Sequence, residues 1–260
     1  MSKEVMNKES SVPAMAPAAW GEEFVGAQDI VIPKILPMQG LSDLVTDGKA
    51  TMGEFRDSVS GELLGSIVDP IVIVPFMVQK FWDIMEEDDE GDFKWERSEP
   101  LIENPLEAGY NDNLPWEDVV DGKRVKRIRR MNFFCLIPKE MAKGNSIPYI
   151  MSFKSTSLRE GKKLFTQMYL RNKRAGKPPC AYAFALAGTK QKNDKGTYIV
   201  PNVTQVREST PEEISEAFSW FQLVKKGGVK VDDSDLTGQQ TELDLDAMDV
   251  AGDDTGTGKF

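Results

Sequence analysis

Charge is sorted along this chain, and the sorting limits how it can fold. Residues 1–122 carry 8 basic and 26 acidic side chains, residues 123–230 carry 23 and 7, and residues 231–260 carry 1 and 9. The successive net charges are −18, +16 and −8. In the densest stretch, 123–207, 20 basic residues face only Glu140, Glu160 and Asp194. A compact domain with that excess repels itself unless something neutralises it. Two neutralisers are available. One is a polyanion, because a basic body flanked by acidic segments is a compositional signal for nucleic-acid interaction. The other is the chain's own fifteen carboxylates in 83–121, which could screen a basic groove.

Composition excludes several classes of function. The chain has no histidine, which removes Ser-His-Asp and Cys-His catalysis and every His-ligated metal site. Cys135 and Cys180 are too few for a zinc finger or a disulfide framework and read as core thiols in a reducing cytoplasm. No apolar run of about 18 residues exists, and the first twenty residues lack a signal-peptide core, so no membrane span is expected.

Three regions follow from the pattern. Residues 1–28 read as a flexible N-terminal arm. Residues 29–229 read as one folded domain with an acidic insertion at 83–121. Residues 230–260, rich in Asp, Thr, Gly and Gln, bury too little to offset ordering entropy and are expected to be a disordered acidic tail. Within the domain, 54–64 looks like a hairpin turning at Ser60-Gly61, and 67–78 like a strand with Pro70 and Pro75 near its ends. The insertion reads as a long loop. Asp121-Gly122 is the strongest hairpin signal in the chain, with its returning strand over 125–137. A strand over 147–154 follows. The Ser157–Glu160 spacing predicts a capping box and a helix with Gly161, Leu164, Phe165 and Met168 on one side. Residues 180–189 alternate in period two, and 197–207 form the next strand after a turn at 190–196. Thr210, Pro211 and Glu213 start a last helix with Ile214, Ala217, Phe218, Phe221 and Val224 on one face.

This order predicts a mainly β, α+β domain. A helix between the third and fourth of five strands is the connectivity of the OB-fold, a partly open barrel that binds oligonucleotides. Proteins that bind single strands need cations along a groove and aromatic faces for bases. Each basic cluster here lies beside aromatics. Lys126, Arg127, Arg129 and Arg130 precede Phe133 and Phe134. Lys154, Arg159, Lys162 and Lys163 follow Tyr149 and Phe153. Arg171, Lys173 and Arg174 precede Tyr182, and Lys190 and Lys192 precede Tyr198. Half of each strand's side chains face inward, so each ring has two destinations, core or DNA.

The chain ends in acids followed by Phe260. A basic OB-like body with an acidic tail closed by an aromatic resembles the single-stranded DNA-binding proteins of bacteriophages. That resemblance implies a non-enzymatic protein that coats and protects single-stranded DNA without sequence specificity in phage replication, recombination and repair, in the host cytoplasm. It implies no cofactor, and a tail that docks replication and recombination proteins such as polymerase or helicase/primase through Asp253, Asp254 and Phe260. The tail departs from the family pattern, since Thr255–Lys259 separates its acids from Phe260. Oligomeric state is left open, a homo-oligomer included.

Rival readings are a strand-annealing mediator, a protein–protein adaptor and a metal-dependent nuclease using the 83–121 carboxylates. The motif support for enzymes is poor. Residues 86–97 start with Glu86 and end in Arg97 where a calcium loop needs a bidentate Glu. Residues 252–259 miss the spacing of a phosphate-binding loop. No metal site is expected.

Overall fold

The computed structural model describes residues 31–193 and 196–226. The expected arm and tail, and the turn residues Asp194 and Lys195, lie outside the described residues. In chain order the elements are β1 (Ile35–Pro37), α1 (Asp43–Thr46), β2 (Glu54–Asp57), β3 (Leu63–Ser66), β4 (Ile71–Glu87), β5 (Phe93–Pro100), β6 (Glu117–Val120), β7 (Lys123–Leu136), α2 (Pro138–Met141), β8 (Tyr149–Lys154), α3 (Leu158–Phe165), α4 (Asn172–Arg174), β9 (Tyr182–Asn193), β10 (Gly196–Glu208) and α5 (Pro211–Lys225). A π-helical turn, Thr166–Arg171, joins α3 to α4 without a break.

The fold is mainly β, and among the described residues every pairing between these strands is antiparallel, with one isolated parallel bridge from Lys34 to Ile150. The body sheet runs β8-β7-β4-β9-β10, and a separate small sheet runs β1-β2-β3. Among the described residues β8 and β10 do not pair, so the expected barrel does not close. Instead α3 packs on β8, β7 and β10 at that gap. The helix between β8 and β9 stands where the sequence placed it.

Apolar side chains cover both faces of the body sheet. On one face Ile71, Ile73, Phe133, Cys135, Met151, Phe153, Phe184 and Leu186 meet Leu164 and Met168 of the helix and Phe55 of the small sheet. On the other, Val74, Phe76, Phe134, Leu136 and Ile150 meet Ala217 and Val224 of α5, with Ile32. Pro75 does not end β4 as its sequence suggested. It sits at a bulge, where the register with β7 shifts between Pro75 and Met77, and a bulge tolerates a residue without an N–H.

The second correction concerns the insertion. Residues 83–121 are not a long loop. β4 runs on to Glu87 and β7 starts at Lys123, so both strands extend past the body. There β5 pairs with the free edge of β4 and β6 with the free edge of β7. This four-stranded extension is a wing with its own small core of Trp82, Ile84 and Val125, covered by Leu101. The Asp121-Gly122 turn forms as expected, with φ of 53° and 83°, the left-handed pair that a two-residue hairpin requires. The Ser60-Gly61 hairpin also forms, between β2 and β3.

Helix ends divide the same way. Thr210 caps α5: its hydroxyl accepts from the Glu213 N–H at 3.2 Å, and Glu213 accepts from the Thr210 N–H at 2.8 Å. Ser157 forms no such box, because its hydroxyl bonds the backbone of Lys154 instead. On α5, Phe218 is 60% exposed, and Trp220 takes its place on the packed side by donating to the Ser146 carbonyl.

Two outcomes follow. A Cβ at Gly161 would lie 2.8 Å from the Phe153 Cβ, so only glycine lets α3 approach β8 this closely. Helix propensity alone favours Ala by ~1 kcal/mol. Gly161→Ala should nevertheless destabilise by ~1–3 kcal/mol, while Lys162→Ala stays within ~0.5 kcal/mol, both read by denaturant unfolding. Burial raises the Glu213 pKa, but bonds from Arg207 and the Thr210 N–H outweigh this and hold it below 4.5. Its contribution is present above that value and is lost as pH falls through the depressed one. Glu213→Gln, which keeps the cap, should therefore flatten the loss of stability on acidification below about pH 5.

Candidate nucleic-acid interface

The six cations at 123–130 are the densest in the sequence, and the wing neutralises most of them. Lys123 lies 3.2 Å from Glu86, and Arg124 lies 2.7 Å from Glu87 and also pairs with Glu117. Arg127 is buried, donates to the Pro115 carbonyl at 3.1 Å and lies 3.4 Å from Asp118. Arg129 lies 2.6 Å from Asp112 and 4.9 Å over the Trp82 ring. Lys126 sits 4.2 Å over Phe93 and 5.2 Å over Trp116.

Arg130 is the extreme case, with 1% of its side chain exposed. Its guanidinium lies 3.2 Å from Asp83 and donates to the Ser98 hydroxyl at 3.0 Å, and Ser98 in turn donates to Asp83 at 2.7 Å. Arg127 and Arg130 are therefore corrected from DNA contacts to buried partners of the insertion, while Arg129 is half-buried and held by Asp112. Lys126, half-buried against two rings, is poorly placed for phosphate.

Two expected stacking rings are also corrected. Phe153 is fully buried and meets Phe133 edge-on at 5.5 Å. Tyr149 is 2% exposed, and burial raises its hydroxyl pKa, reinforced by Asp57 and Glu140. A ring inside the core has no face to offer a base. Tyr182 and Tyr198 are half-buried. Lys177 donates to the Tyr182 hydroxyl at 2.8 Å and pairs with Glu208 at 2.6 Å, while Tyr198 donates to Gln191 at 3.0 Å. Both cysteines are buried and burial raises both thiols, so they are packing groups.

What remains outside is the helical segment 158–174. Arg159, Lys162, Lys163, Arg171, Lys173 and Arg174 are all exposed, and Glu160 is the one acid among them. Lys163 pairs with Glu160. The other five have no ion pair among the described residues. Arg159, Lys162, Lys163, Thr166, Gln167 and Arg171 line an open depression of about 430 Å³. Lys154 is half-buried just before this segment, and Lys190 and Lys192 are exposed on β9.

Of two aromatics on this helix, the sequence places Phe165 on the packed side and gives no role to Tyr169. Phe165 and Tyr169 are half-buried on this helix, with ring centroids 4.9 Å apart and planes tilted by 33°. Lys80 lies 4.1 Å over Phe165 and 2.6 Å from Glu103. The available signal was an aromatic pair at i,i+4 within a basic helix.

Asp88, Glu90 and Asp92 cluster at the β4–β5 turn. The Asp88 carboxylate accepts the backbone N–H groups of Glu90 and Asp92, both at 2.9 Å, and pairs with Lys94, as a turn-forming acid does.

A mainly antiparallel β body with a basic helix on one side and an acidic wing laid against the cations of β7 defines the class. No described helix is long and apolar enough to cross a membrane. The chain belongs to the Pam3 phage gp34-like protein family, which it matches over residues 5–230. No curated protein matches it, and no solved structure does. The predicted tail contacts Asp253, Asp254 and Phe260 lie outside the described residues.

The buried pair sets a stability test. Arg130→Met should cost ~3–5 kcal/mol by leaving Asp83 uncompensated, whereas Arg130→Met with Asp83→Leu should recover most of that loss. Denaturant unfolding of the three proteins reads the difference.

Proposed function

We propose that this phage protein binds single-stranded DNA without sequence readout and without catalysis, on an OB-like body. The observation that carries the reading is the unneutralised cation surface of 158–174. In a chain of net charge −10, the carboxylates have been laid against β7 and not against this helix. Lys and Arg there supply phosphate contacts, beside Phe165 and Tyr169, which are half-buried against the core. The pairing order β8-β7-β4-β9-β10, with a helix between β8 and β9, supports an OB-like sheet left open between its outer strands.

On this reading the loop that joins the first two OB strands has become the acidic wing, so phosphate is drawn to the helix side. The acidic composition of 231–260 and its terminal Phe260 favour docking of replication and recombination proteins there.

Fluorescence titration with poly(dT) across a salt series tests the reading. Neutralising ~4–6 phosphates should give a log K against log[salt] slope near −0.7 for each. Arg159→Glu with Lys162→Glu should flatten that slope. Lys123→Ala with Arg124→Ala should leave it unchanged, because those side chains already hold carboxylates. Salt-independent binding, or cleavage of the strand on adding Mg²⁺, would overturn the proposal.

A further inference from the structure

The π turn at Thr166–Arg171 has a structural cause and a consequence on the opposite side of the helix. Leu164, Met168 and Asn172 are all buried at successive four-residue steps. In a regular α-helix each such step drifts about 40°, so the three would spread over about 80° of the packed face. The π turn absorbs the drift: the Asn172 N–H bonds the Gln167 carbonyl five residues back. Asn172 thereby stays inside, where its amide donates to the carbonyls of Pro178 and Pro179, both at 3.2 Å.

On the solvent side the same turn re-aims the cations. Taking Arg159 as zero, α-helical geometry puts Lys162 at about −60°, Lys163 at about 40° and Thr166 at about −20°. Arg171 would fall at about 120°, off this face. The extra residue in the π turn sets it back by about 100°, to about 20°. This matches the depression, in which Arg171 lines one wall with Arg159, Lys162 and Lys163. Along the axis, Arg159 and Arg171 are about 17 Å apart, eleven steps of 1.5 Å once the extra residue of the π turn is left out.

We infer that Arg159, Lys162 and Arg171 form one row that tracks successive phosphates of a single strand, with Lys163 beside it held by Glu160, and that the π turn is what brings Arg171 into it. This inference rests on the single-stranded DNA reading. Arg171 is its diagnostic residue, because the neighbouring Leu170 is 53% exposed and a regular helix would put position 170, not 171, on the row.

The experiment transposes the cation. Poly(dT) affinity is measured across a salt series for the full chain, for Arg171→Ala, and for Leu170→Arg combined with Arg171→Ala, which has the charge of the native protein. Both positions are exposed, and thermal melts should superimpose. Arg171→Ala should shallow the slope by about 0.7, and the transposed variant should stay equally shallow. Full recovery in the transposed variant would overturn the role of the π turn. A native slope with Arg171→Ala would remove Arg171 from the row while leaving DNA binding intact. If the native chain shows no salt-dependent poly(dT) binding, the parent reading itself falls.

Discussion

Six cations in eight residues of one strand can be folded only if anions arrive at the same spacing, and the wing supplies them. Strand pairing brings Glu86 opposite Val125 and Glu117 opposite Lys126, so carboxylates from both neighbours reach the guanidinium and ammonium groups of β7. The Arg130–Asp83–Ser98 set buries the last of these charges where the wing meets the body. Pairs of this kind add little net stability over a hydrophobic isostere. They make the arrangement specific, because a slip of one residue would turn every cation to the wrong face.

This neutralisation moves the candidate site. A reader who adds up charge along the chain finds its peak at 123–130, and in space that peak has been cancelled. The excess that survives is on the helix between β8 and β9, flanked by the aromatic pair Phe165 and Tyr169. Both faces of the body sheet are covered, one by α3 and the small sheet and the other by α5. Among the described residues no broad sheet surface is left open, and five of the six cations of the helical segment have no ion pair.

Much of the fold was legible from local signals. The Asp121-Gly122 turn, the period-two strand after Cys180, the Thr210 capping box and the helix after Ser157 depend on a few adjacent residues, and each element stands. What failed depended on distant partners. The wing strands have no alternating apolar pattern, because their outward positions bear paired charges, so 83–121 looked like a loop. Tyr149 and Phe153 share their strand's period with the core, and only tertiary packing says which side is inside. The π turn has no sequence signature of its own.

The continuity of β4 and β7 through body and wing has one more consequence. Neither strand breaks at the boundary, so side-chain alternation in the wing is phased by the body. One residue added to either strand below the wing would exchange Trp82 with Asp83, or Arg129 with Arg130, between the two surfaces. Length variation in this part of the molecule is therefore quantised. Growth or shrinkage fits in two-residue steps along a strand or at the hairpin ends, as a ladder grows a whole rung at a time, and a single added residue has to be taken up in a bulge, as between Pro75 and Met77.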